Sequence, residues 1–144
     1  MVKLNKNYLD DIVKRSLKED IGSKDITTDS LIPAEVKVKA EIIAKERGII
    51  SGLKVAEMVF RRLDRQCRFK AYVRDGQRVE RGKLLAEVPG RAKAILKGER
   101  VALNFLQRMS GISTLTRAYV NSCKGIRILA TRKTSPCLRL LELY

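Results

Sequence analysis

The sequence predicts an α+β fold, in which helices and strands share a mixed N-terminal domain. Apolar side chains recur at helical spacing in residues 7–20 and again in residues 97–109. Between these helices, residues 36–45 and 67–74 alternate between apolar and polar side chains, which is the pattern of half-buried strands. Helices on both sides of an alternating region therefore favour a mixed domain of helices and strands.

The first predicted helix and the first predicted strand each have one apolar face. Asn7 is expected to cap the helix over residues 7–20, and a polar, turn-forming stretch follows at residues 19–29. The strand at residues 36–45 has one apolar and one charged face. The apolar positions of the helix and then of the strand are Leu9, Ile12, Val13, Leu17, Val38, Ala40, Ile42 and Ala44.

The middle of the chain predicts a second helix and a continuing sheet. The helix opens at Ser51 and Gly52, and its apolar residues follow at four-residue spacing. They are Val55, Val59 and Leu63. The strand at residues 67–74 ends in a turn at Asp75-Gly76, and the sheet continues from there to Gly90.

The last third of the chain predicts helices around one short strand. The helix over residues 97–109 is expected to break at Gly111 before a further helix through Val120. A strand at residues 126–130 and the start of another helix follow. Because a lone strand and part of a helix cannot form a sheet, we expect the chain to end inside an incomplete domain.

We therefore divide the chain after residue 110. Residues 1–110 are expected to form the α+β domain, and residues 111–144 to begin a second domain.

The charge of the chain favours anionic partners. Among 144 residues, 31 Lys and Arg outnumber 16 Asp and Glu, which gives a net charge of +15. The cations are scattered and the only aromatic residues are four Tyr and three Phe, so base stacking is poorly supplied and we expect no nucleic-acid partner. Small anions such as phosphate esters fit this distribution better.

Other classes are excluded by composition. No apolar run approaches the roughly 20 residues of a membrane span, and no signal peptide opens the sequence, so we expect a cytoplasmic protein without a membrane anchor. Three cysteines without a C-x-x-C pair, and no histidine, argue against a disulfide framework or a zinc site. Any chemistry therefore depends on Arg, Lys, Asp, Glu, Ser or Thr.

The segment at residues 131–134 is the strongest candidate binding site. Thr131, Arg132 and Lys133 offer a hydroxyl, a planar guanidinium and an ammonium directly after a predicted strand. Arg139 lies nearby in the helix that follows. A pair of adjacent cations on its own is more often solvated surface. Other motifs in the sequence are therefore needed to identify this segment as a binding site.

Arg100 is the second candidate. We expect it in the first turn of its helix, where a cation opposes the helix dipole. A ligand or partner would explain that position, although an exposed arginine with no role is equally compatible. The segment at residues 75–85 has the D-G-x-x-V-x-x-G-x-x-L spacing of biotinyl and lipoyl carrier hairpins. It lacks the methionines that flank the modified lysine of a carrier, so we interpret it as structural.

Taken in order, these segments resemble those of quinolinate phosphoribosyltransferases, and the resemblance covers nearly the whole chain. The matching segments are E-D-I-G at 19–22, D-I-T-T at 25–28, A-K-E-R-G-I-I-S-G at 44–52, D-G at 75–76 with Gly82, E-R at 99–100, L-N-F-L at 103–106, S-G-I-S-T at 110–114, T-R-K-T-S-P at 131–136 and L-R at 138–139. The resemblance implies a hammerhead-like α/β sandwich followed by the first elements of an incomplete α/β barrel.

The resemblance also implies a reaction and its participants. The family transfers the phosphoribosyl group of phosphoribosyl pyrophosphate to quinolinate, with loss of carbon dioxide and pyrophosphate, and it uses Mg²⁺, whose ligands we expect outside this chain. Arg132 would then bind a quinolinate carboxylate, Lys133 would bind the phosphoribosyl substrate and Thr131 would shape the loop. Arg100 matches an arginine that enters the partner's site in a homodimer, and Arg139 joins the substrate-binding candidates. No catalytic residue can be named.

Two departures from the family pattern and several alternatives remain. Lys24 and Cys137 stand where the family usually has glycine. The later glycine-rich segment with its His-Arg pair has no counterpart here, so we expect this chain alone to be inactive. A carrier domain, a basic nucleic-acid binder and a transferase for another aromatic acid are the alternatives.

Overall fold

Ten helices and strands make up the described part of the chain. The protein was analysed as a computed structural model, which describes residues 3–123 and 125–144. In chain order the elements are α1 (Lys6–Ile21), α2 (Ile26–Leu31), β1 (Lys37–Ile43), β2 (Gly48–Ile49), α3 (Leu53–Leu63), β3 (Lys70–Ala71), β4 (Arg78–Val79), β5 (Leu84–Arg91), α4 (Ala92–Ser122) and α5 (Arg139–Glu142). The strands form two antiparallel sheets, ordered β1-β5-β3 and β2-β4. This arrangement confirms the α+β class.

The larger sheet separates a buried face from a charged face. Ala86 and Val88 on β5 are fully buried, as alternation places them on the face that the helices cover. On the other face Glu87 accepts hydrogen bonds from Lys39 Nζ at 2.8 Å and from Tyr72 Oη at 2.6 Å. The predicted strand at residues 67–74 shrinks to the two residues of β3, although backbone hydrogen bonds to β5 continue on both sides of it.

Helix α1 confirms the first prediction except at its cap. Its four predicted apolar residues are all buried in the core. The capping residue is Asn5, whose side chain accepts a hydrogen bond from the amide of Asn7 at 2.8 Å. The prediction that Asn7 caps the helix was wrong by two residues. Asn5 and Asn7 are both residues that can cap a helix, and the path of the chain before the helix decides which of them does so. Helix α2 forms within the stretch that we predicted as turns.

The long helix α4 organises the fold, and it runs unbroken through Gly111. The predicted break there was wrong. A glycine inside a helix costs only about 1 kcal/mol, and contacts on both sides of Gly111 offset that cost. At Gly98 the helix approaches α3 so closely that a Cβ would lie 3.0 Å from side-chain carbons of Phe60 and Leu63. The predicted domain boundary after residue 110 stays a prediction, and it falls inside this helix.

Two of the segments that carry the family resemblance pack against each other. Residues 48–52, which we call the glycine loop, lie against the middle of α4. The amide of Ile49 donates to Thr114 Oγ1 at 2.8 Å, and the amide of Ser51 donates to Ser110 Oγ at 3.0 Å. Gly52 has a φ of +102° and lies against Met109, where a side chain would collide. These segments are therefore structural, since they satisfy each other's polar groups.

The segment at residues 75–85 is also structural, as interpreted from the sequence. β4 pairs with β2, and the side chain of Asp75 accepts a hydrogen bond from the amide of Leu53 at the start of α3. Tyr144 Oη donates to the second carboxylate oxygen of Asp75 at 3.1 Å. Asp75 thus joins the end of the chain to the body of the domain.

The segment after α4 contradicts one prediction. Residues 126–130 belong to no helix or strand, so the predicted strand there was wrong. Ile126 and Leu129 are 70% and 67% exposed. A strand needs a hydrogen-bonded neighbour, and no described strand pairs with this segment.

None of the helices within the described ranges combines the length and the apolarity that crossing a bilayer requires.

Candidate anion-binding site

Thr131, Arg132 and Lys133 lie on an exposed bend. The amide of Lys133 donates to Thr131 Oγ1 at 3.2 Å, and the amide of Thr134 donates to the carbonyl of Arg132 at 3.0 Å. These local bonds fold the backbone on itself and leave the guanidinium and the ammonium in solvent. The segment therefore presents two cations side by side without an ion pair to another described residue.

Arg139 is brought back to this bend. It begins α5, and its Nε donates to Thr134 Oγ1 at 3.2 Å. A third cation thus lies against the end of the segment that carries Arg132 and Lys133. The sequence predicted this proximity, and the turn at residues 135–138 produces it through a hydrogen bond from the amide of Leu138 to the carbonyl of Ser135.

The bend is anchored to α4 through Glu142, which the sequence analysis did not identify. Glu142 Oε1 accepts hydrogen bonds from Arg108, from Nε at 3.0 Å and from a second, shorter contact with Nη2. Glu142 Oε2 accepts from the amide of Ser135 at 3.0 Å. Arg108 also donates to the Ser135 hydroxyl. We call Arg108, Ser135 and Glu142 the α4 clamp.

The α4 clamp favours the charged form of Glu142. The hydrogen bond from Arg108 is the main cause of a lowered pKa at Glu142, and the bonds from Ser135 act in the same direction. The side chain of Glu142 is only 10% exposed, so its charge depends on these donors. No sequence signal predicts the clamp, because Arg108 and Glu142 are 34 residues apart and each is an ordinary charged residue.

Cys137 adds strain to the same turn. Its φ is +64°, and it is the only described non-glycine residue with a positive φ. This left-handed conformation suits glycine, because a Cβ crowds the following carbonyl. The position where the family usually has glycine is therefore one where the backbone conformation favours glycine. The Cys137 carbonyl accepts a hydrogen bond from Tyr8 Oη at 2.8 Å, which holds the strained turn against α1.

Arg100 occupies a different position from the one predicted. Since α4 begins at Ala92, Arg100 lies about two turns inside the helix, and the argument from the helix dipole was wrong. Its guanidinium makes two hydrogen bonds to Asp20, with Nε–Oδ1 at 2.9 Å and Nη2–Oδ2 at 3.1 Å. The bond to Asp20 is the main cause of a raised pKa at Arg100. The side chain is 74% exposed.

A cleft of about 680 Å³ lies between α1, α4 and the turn at residues 136–138. Its charges balance, because three arginines and three carboxylates line it. They are Arg15, Arg100, Arg108, Glu19, Asp20 and Glu142. Thr131, Arg132, Lys133 and Arg139 do not line this cleft. The described residues therefore bring Arg139 to the cationic bend and leave Arg100 in a separate, balanced cleft.

The described residues do not provide a metal site. No group of three or more Asp, Glu, Cys or His side chains lies close enough together in the described ranges to hold an ion.

Comparison with known proteins identifies a family model and relatives of similar sequence. The family described as quinolinate phosphoribosyl transferase, N-terminal domain, matches residues 25–110. A relative from Nicotiana tabacum, quinolinate phosphoribosyltransferase [decarboxylating] 2b, mitochondrial, is 43% identical over 135 residues, which is 93% of this chain and 38% of the relative. A probable nicotinate-nucleotide pyrophosphorylase [carboxylating] from Bacillus subtilis is 40% identical over 98% of this chain and 49% of its own length.

Solved structures show the same agreement. The crystal structure of NadC from Streptococcus pyogenes superimposes with a TM-score of 0.92 at 38% identity, over 98% of this chain and 51% of that one. The nicotinate-nucleotide pyrophosphorylase from Francisella tularensis superimposes with a TM-score of 0.91 at 32% identity, with the same coverage. The chain thus spans about half, or less, of the length of the relatives that it matches.

Proposed function

The chain belongs to the quinolinate phosphoribosyltransferase family, and we propose that it supplies the first anion-binding elements of an enzyme that transfers a phosphoribosyl group to quinolinate. The donor is phosphoribosyl pyrophosphate, and the products are nicotinate mononucleotide, pyrophosphate and carbon dioxide. The observation that carries the proposal is the exposed cationic bend at residues 131–133, with Arg139 beside it and the α4 clamp behind it. Both substrates of this reaction are anions, which are the ligands that a group of exposed cations attracts.

Each residue of the bend has a role that follows from its chemistry. Arg132 carries a planar array of donors that matches a carboxylate through two parallel hydrogen bonds, so we assign it to quinolinate. Lys133 is a compact charge suited to the phosphate of the donor substrate. Thr131 holds the backbone of the bend through its bond to the amide of Lys133. Arg139, which is tied to Thr134, adds a further cation to the same anionic ligands.

The chemistry of the transfer explains the demand for cations. The pyridine nitrogen of quinolinate forms the new bond to the ribose as the bond to pyrophosphate breaks, and positive charge develops on the ribose. The carboxylate on the carbon next to that nitrogen then leaves as carbon dioxide. The electron pair of the broken carbon–carbon bond stays on that ring carbon, which takes up a proton from solvent. Arg132 and Lys133 hold the anionic groups in place during these steps. Mg²⁺ would supply further charge neutralisation for pyrophosphate, through ligands outside the described side chains.

Arg100 is proposed to act in a second copy of the chain. Its side chain is 74% exposed, so a ligand from outside the chain can reach the guanidinium beside Asp20. An anionic substrate in a neighbouring subunit could therefore replace Asp20 as its partner. Sedimentation of the chain should show a homodimer if this arrangement holds, and a strictly monomeric chain would contradict it. As a separate point, we propose that the protein is located in the cytoplasm.

Quinolinate binding by the 144-residue chain tests the proposal directly. We expect calorimetry to detect binding, and Arg132→Gln to weaken it about tenfold or more through loss of a bidentate pair. Arg117→Gln is the matched control, because Arg117 is an exposed arginine of α4 that has no assigned role. Equal effects of the two substitutions, or no binding at all, would contradict the assignment of Arg132.

Pyrophosphate release tests whether this chain can turn over. We expect none when quinolinate and phosphoribosyl pyrophosphate are supplied with Mg²⁺, because only one half of the relatives' length is represented. Measurable release would show that the described residues, with any second copy, suffice for the reaction.

A further inference from the structure

A second concavity, of about 800 Å³, lies on the sheet side of the domain, between β1, the end of α3 and the end of β5. Six cationic side chains and no carboxylate of the described residues line it. The cationic residues are Lys37, Lys39, Arg61, Arg65, Arg68 and Arg91. We call this concavity the basic groove. None of the six belongs to the segments that carry the family resemblance, so the proposed function leaves them unexplained.

Nearby carboxylates neutralise only part of this charge. Lys39 is paired with Glu87 at 2.8 Å, and Arg61 is paired with Glu57 at 3.1 Å. Apart from Arg91, the other three cationic residues have no carboxylate of a described residue within 4.0 Å of their cationic atoms. They are Lys37, Arg65 and Arg68. At least three positive charges therefore have no anionic partner of their own among the described residues.

Arg91 is only loosely held. Its Nε lies 3.7 Å from Asp64 Oδ2, which is beyond hydrogen-bond distance. Asp64 instead uses Oδ1 to accept a hydrogen bond from the amide of Gln66 at 2.8 Å, and its Oδ2 is buried with no hydrogen-bond partner among the described residues. Asp64 thus shapes the turn after α3, while the donors of Arg91 stay available to another anion.

The floor of the basic groove is rigid. The turn after α3 approaches β5 so closely that a Cβ on Gly90 would lie 2.4 Å from Cys67 Sγ. The amide of Arg68 donates to the carbonyl of Pro89 at 3.0 Å. Cys67 is 2% exposed, and burial raises the pKa of its thiol, so it adds no negative charge. A binding surface that is formed in advance loses less entropy when a ligand arrives.

We propose that the basic groove binds a compact polyphosphate, an anion with several linked phosphates. The cations come from β1, α3, the turn after it and β5, and they converge on one concavity rather than following a track along the surface. Its volume falls within the range of small-molecule sites, which is roughly 300–1,000 Å³. No aromatic side chain in the described part of the chain lines it, so a nucleic acid would gain no base stacking there.

Titration of the chain with inorganic tripolyphosphate tests this site. We expect calorimetry to show one saturable site per chain, and the double substitution R65Q/R68Q to weaken it about tenfold or more. The control is R78Q/R81Q, which removes the same charge from two exposed arginines of β4 and the turn after it. We expect the control to change the affinity by less than about twofold once salt screens distant charges.

The outcomes separate a built site from general attraction. Equal weakening by both double substitutions, or binding without saturation, would overturn the proposal, because net charge alone would then explain it. R65K/R68K retains the charge, so near-normal binding supports an electrostatic site. An RNA of about 12 nucleotides is the second probe. If it binds more tightly than tripolyphosphate and loses affinity in R65Q/R68Q, the groove serves nucleic acid and the proposal is wrong. Circular dichroism of each variant confirms that the fold is retained.

Discussion

Replacing Cys137 by glycine should stabilise the protein. Cys137 has a φ of +64°, a conformation that costs an L-residue about 1–2 kcal/mol. Glycine avoids this cost, although its greater freedom in the unfolded chain removes roughly 0.5–1 kcal/mol of the gain. The side chain of Cys137 is exposed, and the bond from Tyr8 is made to its carbonyl, so the substitution removes little packing. The net gain expected for Cys137→Gly is about 0.5–1 kcal/mol.

Thermal unfolding measures this gain. For a chain of this length, about 1 kcal/mol corresponds to a rise in Tm of roughly 2–4 °C. Cys137→Ala removes the thiol but keeps Cβ, so it should leave Tm nearly unchanged. Cys123→Gly provides a second comparison, because Cys123 has a φ of −101° and glycine should therefore gain nothing there. If Cys137→Gly were no more stable than Cys137→Ala, the argument from backbone strain would be refuted.

Three further substitutions test the clamp, the glycine loop and the groove floor. Glu142→Gln should destabilise the chain by about 1–2 kcal/mol in urea unfolding, because Arg108 loses its charged acceptor. Since Arg108 lowers the pKa of Glu142, this difference should be full above the ordinary glutamate pKa and should fade as the pH drops below about 4; an unchanged difference at pH 3 would contradict it. Thr114→Ala should cost about 1–2 kcal/mol because it leaves a backbone amide of the glycine loop unsatisfied, whereas Thr114→Ser should restore most of the stability. Gly90→Ala should cost more than about 2 kcal/mol, and adding Cys67→Ala should recover part of that loss in a double-mutant cycle; strictly additive effects would rule out the contact.

Much of the fold was predictable because its signals are local. The apolar stripe of α1 and the alternation in β1 follow from helical and strand periods that a short window of sequence contains. The order of the family segments likewise needed no structure. The errors fall where a local signal is ambiguous. Gly111 indicates a break by propensity, yet α4 continues through it, and the hydroxyls of Ser110 and Thr114 on either side accept hydrogen bonds from the glycine loop. Residues 126–130 have strand-like composition but no described strand beside them.

The candidate site shows the same division. The sequence predicted the cations of the bend, since Arg132, Lys133 and Arg139 are close together along the chain. It did not predict the α4 clamp or the pair between Arg100 and Asp20, whose partners are 34 and 80 residues apart. Pairs at such separations depend on how helices pack, and many arginines and carboxylates in this chain could form them equally well on paper.

The sequence by itself determined the α+β class, the family and the identity of the cationic bend. Only the tertiary structure decided which charges are neutralised: Arg100 and Arg108 are bound by carboxylates, while the bend and part of the basic groove have no anionic partner among the described residues. It also assigned a positive φ to Cys137, which explains why glycine suits that position. The physical reason is that composition records how many charges a chain has, whereas packing decides which of them are paired.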